Sequence, residues 1–160
     1  MNGTDEVHLH GASGAHSLTR TAVQATLHCL TGCAIGEVLG MVLATWWGWG
    51  NAASIALAIV LAFAFGYSLT MAPVLRSGLP LRQALGVALA ADTVSILVME
   101  IVDNGFVLAV PGAIDAELAD ALFWISLAVS LVIAFVVTVP VNRAMIARGK
   151  GHAVVHHYHH

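Results

Sequence analysis

Four long apolar stretches, each near the ~20 residues that span a hydrocarbon core, alternate along the chain with short polar or Gly/Pro-containing breaks. They run roughly over Thr21–Trp46, Asn51–Ala72, Leu81–Asp103 and Leu118–Asn142, and each predicts an α-helix. The first break, Gly48-Trp49-Gly50, is so short that helices one and two must be antiparallel neighbours. The second, Pro73 to Pro80, is bounded by prolines and stops a helix at each side. The third, Asn104 to Asp115, is unusually apolar (Phe106 to Pro111), which suits packing along a membrane surface or covering one end of a bundle. A polar, His-containing tail (1–20) precedes the helices, and a basic then His-rich tail (143–160) follows them. The pattern predicts an all-α, integral-membrane four-helix bundle over 21–142, with no second domain and no internal repeat.

Composition sharpens this. The chain has 160 residues, of which 59% are hydrophobic and only 9% charged, against about 25% charged in soluble domains. The first stretch is too long for a signal peptide and carries His28 and Glu37, so it reads as a retained span. The six cations, Arg20, Arg76, Arg82, Arg143, Arg148 and Lys150, all fall on the side shared by the two tails and the second break. Asp103, Asp115, Glu117 and Asp120 fall near the other side. The positive-inside rule then places both termini in the cytoplasm of a plasma or inner membrane. Trp46, Trp47, Trp49 and Trp124 sit at the outer ends of spans, as an interfacial aromatic belt requires.

Candidate chemistry lies inside the spans. Gly32, Gly36 and Gly40 form two overlapping small-x-x-x-small units, which let another helix approach closely. The same helix carries His28, Cys29, Cys33, Glu37 and Met41, and from Cys29 onward these are successive i, i+4 steps along one flank. At about 100° per residue the glycines share an arc with Cys29, Cys33 and Glu37, so the polar flank is expected to face inward. Span three places Asp92, Ser95, Met99 and Asp103 along one side, with Glu100 a little round from it. If the two helices are adjacent, these groups form a ladder through the bilayer.

An intramembrane Asp costs about 2.5–3.5 kcal/mol on insertion scales and is a functional signal by default. Glu37, Asp92 and Glu100 have no Lys or Arg within any span to balance them, save those at the cytoplasmic ends. A bound cation, a proton or His28 must serve instead. Cys, Met and His suit a soft or borderline metal ion such as copper or zinc. His28, Cys29, Cys33, Glu37, Met41 and Met99 are the candidate ligands, and Glu37, Asp92 and Glu100 the candidate proton or cation couplers. The tail histidines His8, His10, His16, His152, His156, His157, His159 and His160 are further metal-binding candidates. The alternatives are a proton or monovalent-cation pathway that uses the carboxylates alone, and a membrane thiol redox protein or sensor. No nucleotide-binding loop, nucleophile elbow or catalytic triad is visible, and nothing points to an organic cofactor, an enzyme or nucleic-acid binding. Four spans enclose little room for a permeation path, and a glycine-faced helix invites association, so a homo-oligomer is expected.

The stretch His28-Cys29-x3-Cys33-x3-Glu37, with Ala90-Ala91-Asp92-Thr93, resembles a family of small four-span bacterial membrane proteins defined only as a domain of unknown function. The resemblance covers about Thr21 to Asn142. It implies a four-span membrane unit and carries no activity with it.

Overall fold

A computed structural model of the chain describes the backbone of residues 3–76, 78 and 80–148, and side chains from His16 onward except at 73, 74, 84, 87, 88, 90 and 91. The described residues form helices only: α1 (Gly3–Trp47), α2 (Asn51–Arg76), α3 (Leu81–Ala109) and α4 (Ala121–Ala147). Each helix neighbours the next around the bundle, and α4 closes the ring against α1. α1 and α3 are the diagonal pair and meet mainly through side chains on the bundle axis.

Among the described residues, three segments are long and apolar enough to cross a membrane: His16–Trp47, Asn51–Ala72 and Ala121–Ala147. α3, expected as a span over Leu81–Asp103, includes residues 84, 87, 88, 90 and 91, whose side chains lie outside the described set. It carries Arg82, Asp92, Glu100 and Asp103 on a single helix. The last three of these are buried inside the bundle rather than presented on its surface.

Helix ends differ from the sequence reading: α1 starts at Gly3, inside the expected tail, and α2 runs through Pro73 to Arg76 instead of stopping at Ala72. α3 continues through Ala109 instead of ending at Asp103: the Asn104-Gly105 pair does not stop it, and Pro111 lies beyond its end. α4 begins at Ala121 rather than Leu118 and runs on to Ala147. Residues 110–120 make turns over that end of the bundle, burying Ala113 and Ala116. Asn51 at the start of α2 donates to Asp115 at 2.9 Å and ties the segment down. Ala113 and Ile114 of this connection line a cavity at that end of the bundle.

The close approach of α1 is to α2 of the same chain. A Cβ built on Gly32, Gly36 or Gly40 would stand 2.8 Å from Gly66 Cα, 2.5 Å from Ala62 Cα or 2.6 Å from Ala58 Cα. Real Cβ atoms are not found so near a backbone, so only glycine permits this contact. The polar flank and the glycine flank are therefore adjacent rather than one face: glycines meet α2, while Cys29 and Cys33 reach across to α3.

Burial is inverted relative to a water-soluble bundle. Val60, Ile101, Ile125, Val132 and Val136 are each at least 60% exposed, whereas Asp92, Ser95, Ser130 and Thr138 are fully buried. Trp46, Trp47, Trp49 and Trp124 are all exposed near the same end.

A polar axis as candidate cation site

The axis divides into three layers. Nearest the α2–α3 turn, Asn142 of α4 links three helices. Its amide donates to Thr26 Oγ1 at 2.8 Å, and its carbonyl accepts from the Ser95 hydroxyl. Beside it the Cys29 thiol donates to Asp92 Oδ1 at 3.3 Å. His28 and Thr70 lie within electrostatic or hydrogen-bonding reach of the same carboxyl. His28 is only half-buried, but its Nε2 is enclosed and makes no hydrogen bond.

The middle layer is narrow and soft. Cys33, fully buried, points its thiol at the Met99 thioether across the axis, with the two sulfurs 4.0 Å apart. Ile96, Ala62 and Ala134 pack around them. Glu100 is within reach of the Cys33 thiol and takes a 3.3 Å hydrogen bond from Asn104 Nδ2, while its Oε1 has no partner.

The third layer lies under the 110–120 segment and is acidic. Glu37 is nine-tenths buried, and neither carboxyl oxygen has a hydrogen-bond partner. Its nearest charged neighbours are Asp103 and Glu100. Asp103 accepts from Ser130 of α4. Glu37 and Asp103, with Met41, line a cavity of about 80 Å³ that also takes in Asn51, Ser54, Asn104 and Ser126.

The sequence candidates are thus distributed. Cys33 and Met99 come together, Cys29 joins Asp92, and Glu37 joins Asp103, Glu100 and Met41. Cys29 and Cys33 are both free thiols. No group of three or more His, Cys, Asp and Glu able to hold a metal ion is gathered among the described residues. The terminal histidines His152, His156, His157, His159 and His160, with His8 and His10, lie outside the described side chains. All five described arginines, Arg20, Arg76, Arg82, Arg143 and Arg148, are exposed.

Sequence reasoning predicted α4 but assigned it no axis residues. Ser126, Ser130, Ala134, Thr138 and Asn142 are buried at strict four-residue intervals in an otherwise apolar helix. Small and polar residues at that spacing mark the inward stripe of a helix set in lipid. The signal was present and would have identified Asn142 and Ser130 as axis residues.

The family profile of a domain of unknown function matches residues 19–151, which takes in all four helices' axis residues. The chain belongs to the DUF4396 family. This is the kind of family that the His28–Glu37 and Asp92 stretches resemble, and the match extends a little beyond Thr21–Asn142 at both ends. No curated protein and no solved structure matches the chain.

Proposed function

We propose that this DUF4396 domain is a multi-pass membrane protein that binds and moves a soft transition-metal cation, with copper(I) the best fit. The observation that carries the reading is the Cys33–Met99 sulfur pair, buried on an axis otherwise lined by carboxylates and hydroxyls. The buried carboxylates with no buried arginine call for a positively charged cargo. Thiolate and thioether select a soft one. With the sulfurs 4.0 Å apart and metal–sulfur bonds of about 2.3 Å, both can bind one ion at an angle of about 120°. That leaves a third direction for Glu100. Cys29 with His28 would serve as the next station toward the α2–α3 turn. A pathway needs sites weak enough to release the ion, and dispersed ligands suit that better than a closed four-ligand cage.

The surrounding architecture fits four spans, both termini in the cytoplasm, and a homo-oligomer in a cell membrane. α3 would cross with its carboxylates turned to the axis and Val94, Leu97 and Ile101 turned to lipid. Cysteines placed at Arg20, Arg76 and Glu117, in a background without Cys29 and Cys33, test the topology. An impermeant thiol reagent should label only the Glu117 site in intact cells. Labelling at Arg20 or Arg76 with Glu117 silent reverses it.

A second reading, a proton pathway, is favoured by one observation: Glu37, Glu100 and Asp103 lie together, and both Glu37 oxygens lack partners. Such groups need a shared proton or a bound cation. Proteoliposomes separate the two readings. We expect uptake of copper(I) above that of zinc, reduced by Glu37→Gln and altered in pH dependence by Asp92→Asn. Proton flux that needs Glu37 but survives loss of Cys29 and Cys33 selects the second reading, and no flux of either ion overturns both.

A further inference from the structure

The acidic cavity under residues 110–120 differs in chemistry from the sulfur pair. Its polar lining is oxygen from end to end of the donor list: carboxylates from Glu37 and Asp103, amides from Asn51 and Asn104, hydroxyls from Ser54 and Ser126. Met41 is its one sulfur. Carboxylate, amide and hydroxyl oxygens suit hard ions rather than soft ones. Glu37 supplies the independent pointer to a ligand. It lines the cavity, is nine-tenths buried, and its two enclosed oxygens receive no hydrogen bond from a protein N–H or hydroxyl, with the Asp103 carboxyl beside them. A carboxylate so placed requires a partner of opposite charge or a proton.

We propose that this cavity is a binding site for a hard divalent cation of the magnesium or manganese type, held between Glu37 and Asp103 with part of its water shell retained. Two carboxylates balance a double positive charge. Ions of this type commonly keep several waters and bind through one or two carboxylates rather than an all-protein cage. That mode agrees with the lack of a three-residue His/Cys/Asp/Glu cluster among the described residues. Size agrees too. The cavity measures about 80 Å³, and about 10–15 Å³ on the same measure admits one water. An ion with several waters fits, while an organic ligand of nucleotide size does not. Asp103 is positioned by the Ser130 hydroxyl from α4, and the Asn51–Asp115 hydrogen bond anchors the covering segment beside α2. A bound ion would therefore tie α1 to α3 beneath this cap, at the opposite end of the bundle from the α2–α3 turn.

The site stands independently of the soft-metal reading, and the test keeps the two apart. Manganese(II) is the probe, since its free form gives a strong paramagnetic resonance signal that falls on binding. Titration of the purified full chain in detergent should show one saturable site per chain, displaced by magnesium and untouched by silver(I), a stable stand-in for copper(I). Glu37→Gln and Asp103→Asn should each weaken manganese binding by about tenfold or more, since fewer ligand charges lower affinity. Cys33→Ser should leave it unchanged. Manganese should also raise the melting temperature of the parent and not that of Glu37→Gln. Absence of a saturable site in the parent overturns the proposal, whatever the variants do. Displacement of manganese by silver(I), or its loss in Cys33→Ser, overturns it as well, by merging the site with the sulfur pair. If Glu37→Gln does not fold, Asp103→Asn decides in its place, and undiminished binding there overturns the assignment.

Discussion

Gly36→Leu is expected to prevent stable assembly of the bundle, whereas Gly86→Leu leaves it intact. A side chain at position 36 must start from a Cβ only 2.5 Å from Ala62 Cα. The obstacle is backbone, which cannot rotate away as a side-chain tip could. α1 and α2 would have to separate along the line that also holds Gly32 against Gly66 and Gly40 against Ala58. Overpacking a core typically costs about 1–3 kcal/mol, and parting two helices forfeits the contacts on either side as well. In lipid those contacts are the main attraction between helices, because lipid tails offer no hydrophobic gain on association. Gly86 has open space around it and accepts the same change. Thermal melting and size-exclusion profiles in detergent report the difference. A Gly36→Leu variant that melts like the parent would mean that α1 and α2 do not touch there.

Loss of the Cys33 thiol is expected to weaken soft-metal binding by about a hundredfold, equivalent to about 2.7 kcal/mol. Serine nearly matches cysteine in size and can still donate to a neighbouring carboxylate, so the fold should survive. Its hard oxygen cannot replace a soft thiolate. Met99→Leu, which keeps volume and removes only the thioether, should lose about tenfold. Because the two sulfurs would share one ion, the double variant should lose less than the two single losses combined. Cys29→Ser should do less harm, since that thiol is committed to Asp92 rather than to another sulfur. Silver(I) or copper(I) titration by competition with a chromophoric chelator measures each change. Equal affinity in the parent and in the Cys33→Ser/Met99→Leu double variant would remove the sulfur pair from the function.

Much of the axis was legible before any coordinates. Glu37, Asp92 and Glu100 stood out because ionisable residues are expensive in an apolar run and must turn inward. The glycine spacing announced a close helix contact, and the four-residue steps from Cys29 to Met41 announced a polar flank. Asp103 appeared on the same side of span three but looked like a span end, because the Asn104–Ala109 stretch reads equally well as loop or helix. Asn142 and Ser130 escaped notice because serine, threonine and asparagine carry little hydropathy penalty, so only their spacing betrays them.

What the sequence determined by itself is therefore the class of structure: apolar helices of membrane length, their antiparallel order, and which flanks are polar. These follow from local quantities, namely hydropathy, periodicity and the short Gly- and Pro-containing breaks. Which flank meets which was decided only by the tertiary structure. Cys33 finds Met99 instead of Cys29, Asn142 bridges Thr26 and Ser95, and the glycines choose α2. Each pairing depends on the rotation and depth of one helix against another. A change of one residue, about 1.5 Å along the axis and 100° around it, carries a side chain from the axis to the lipid face. No local pattern in a single helix encodes that relation, because it is fixed by the close packing of all four.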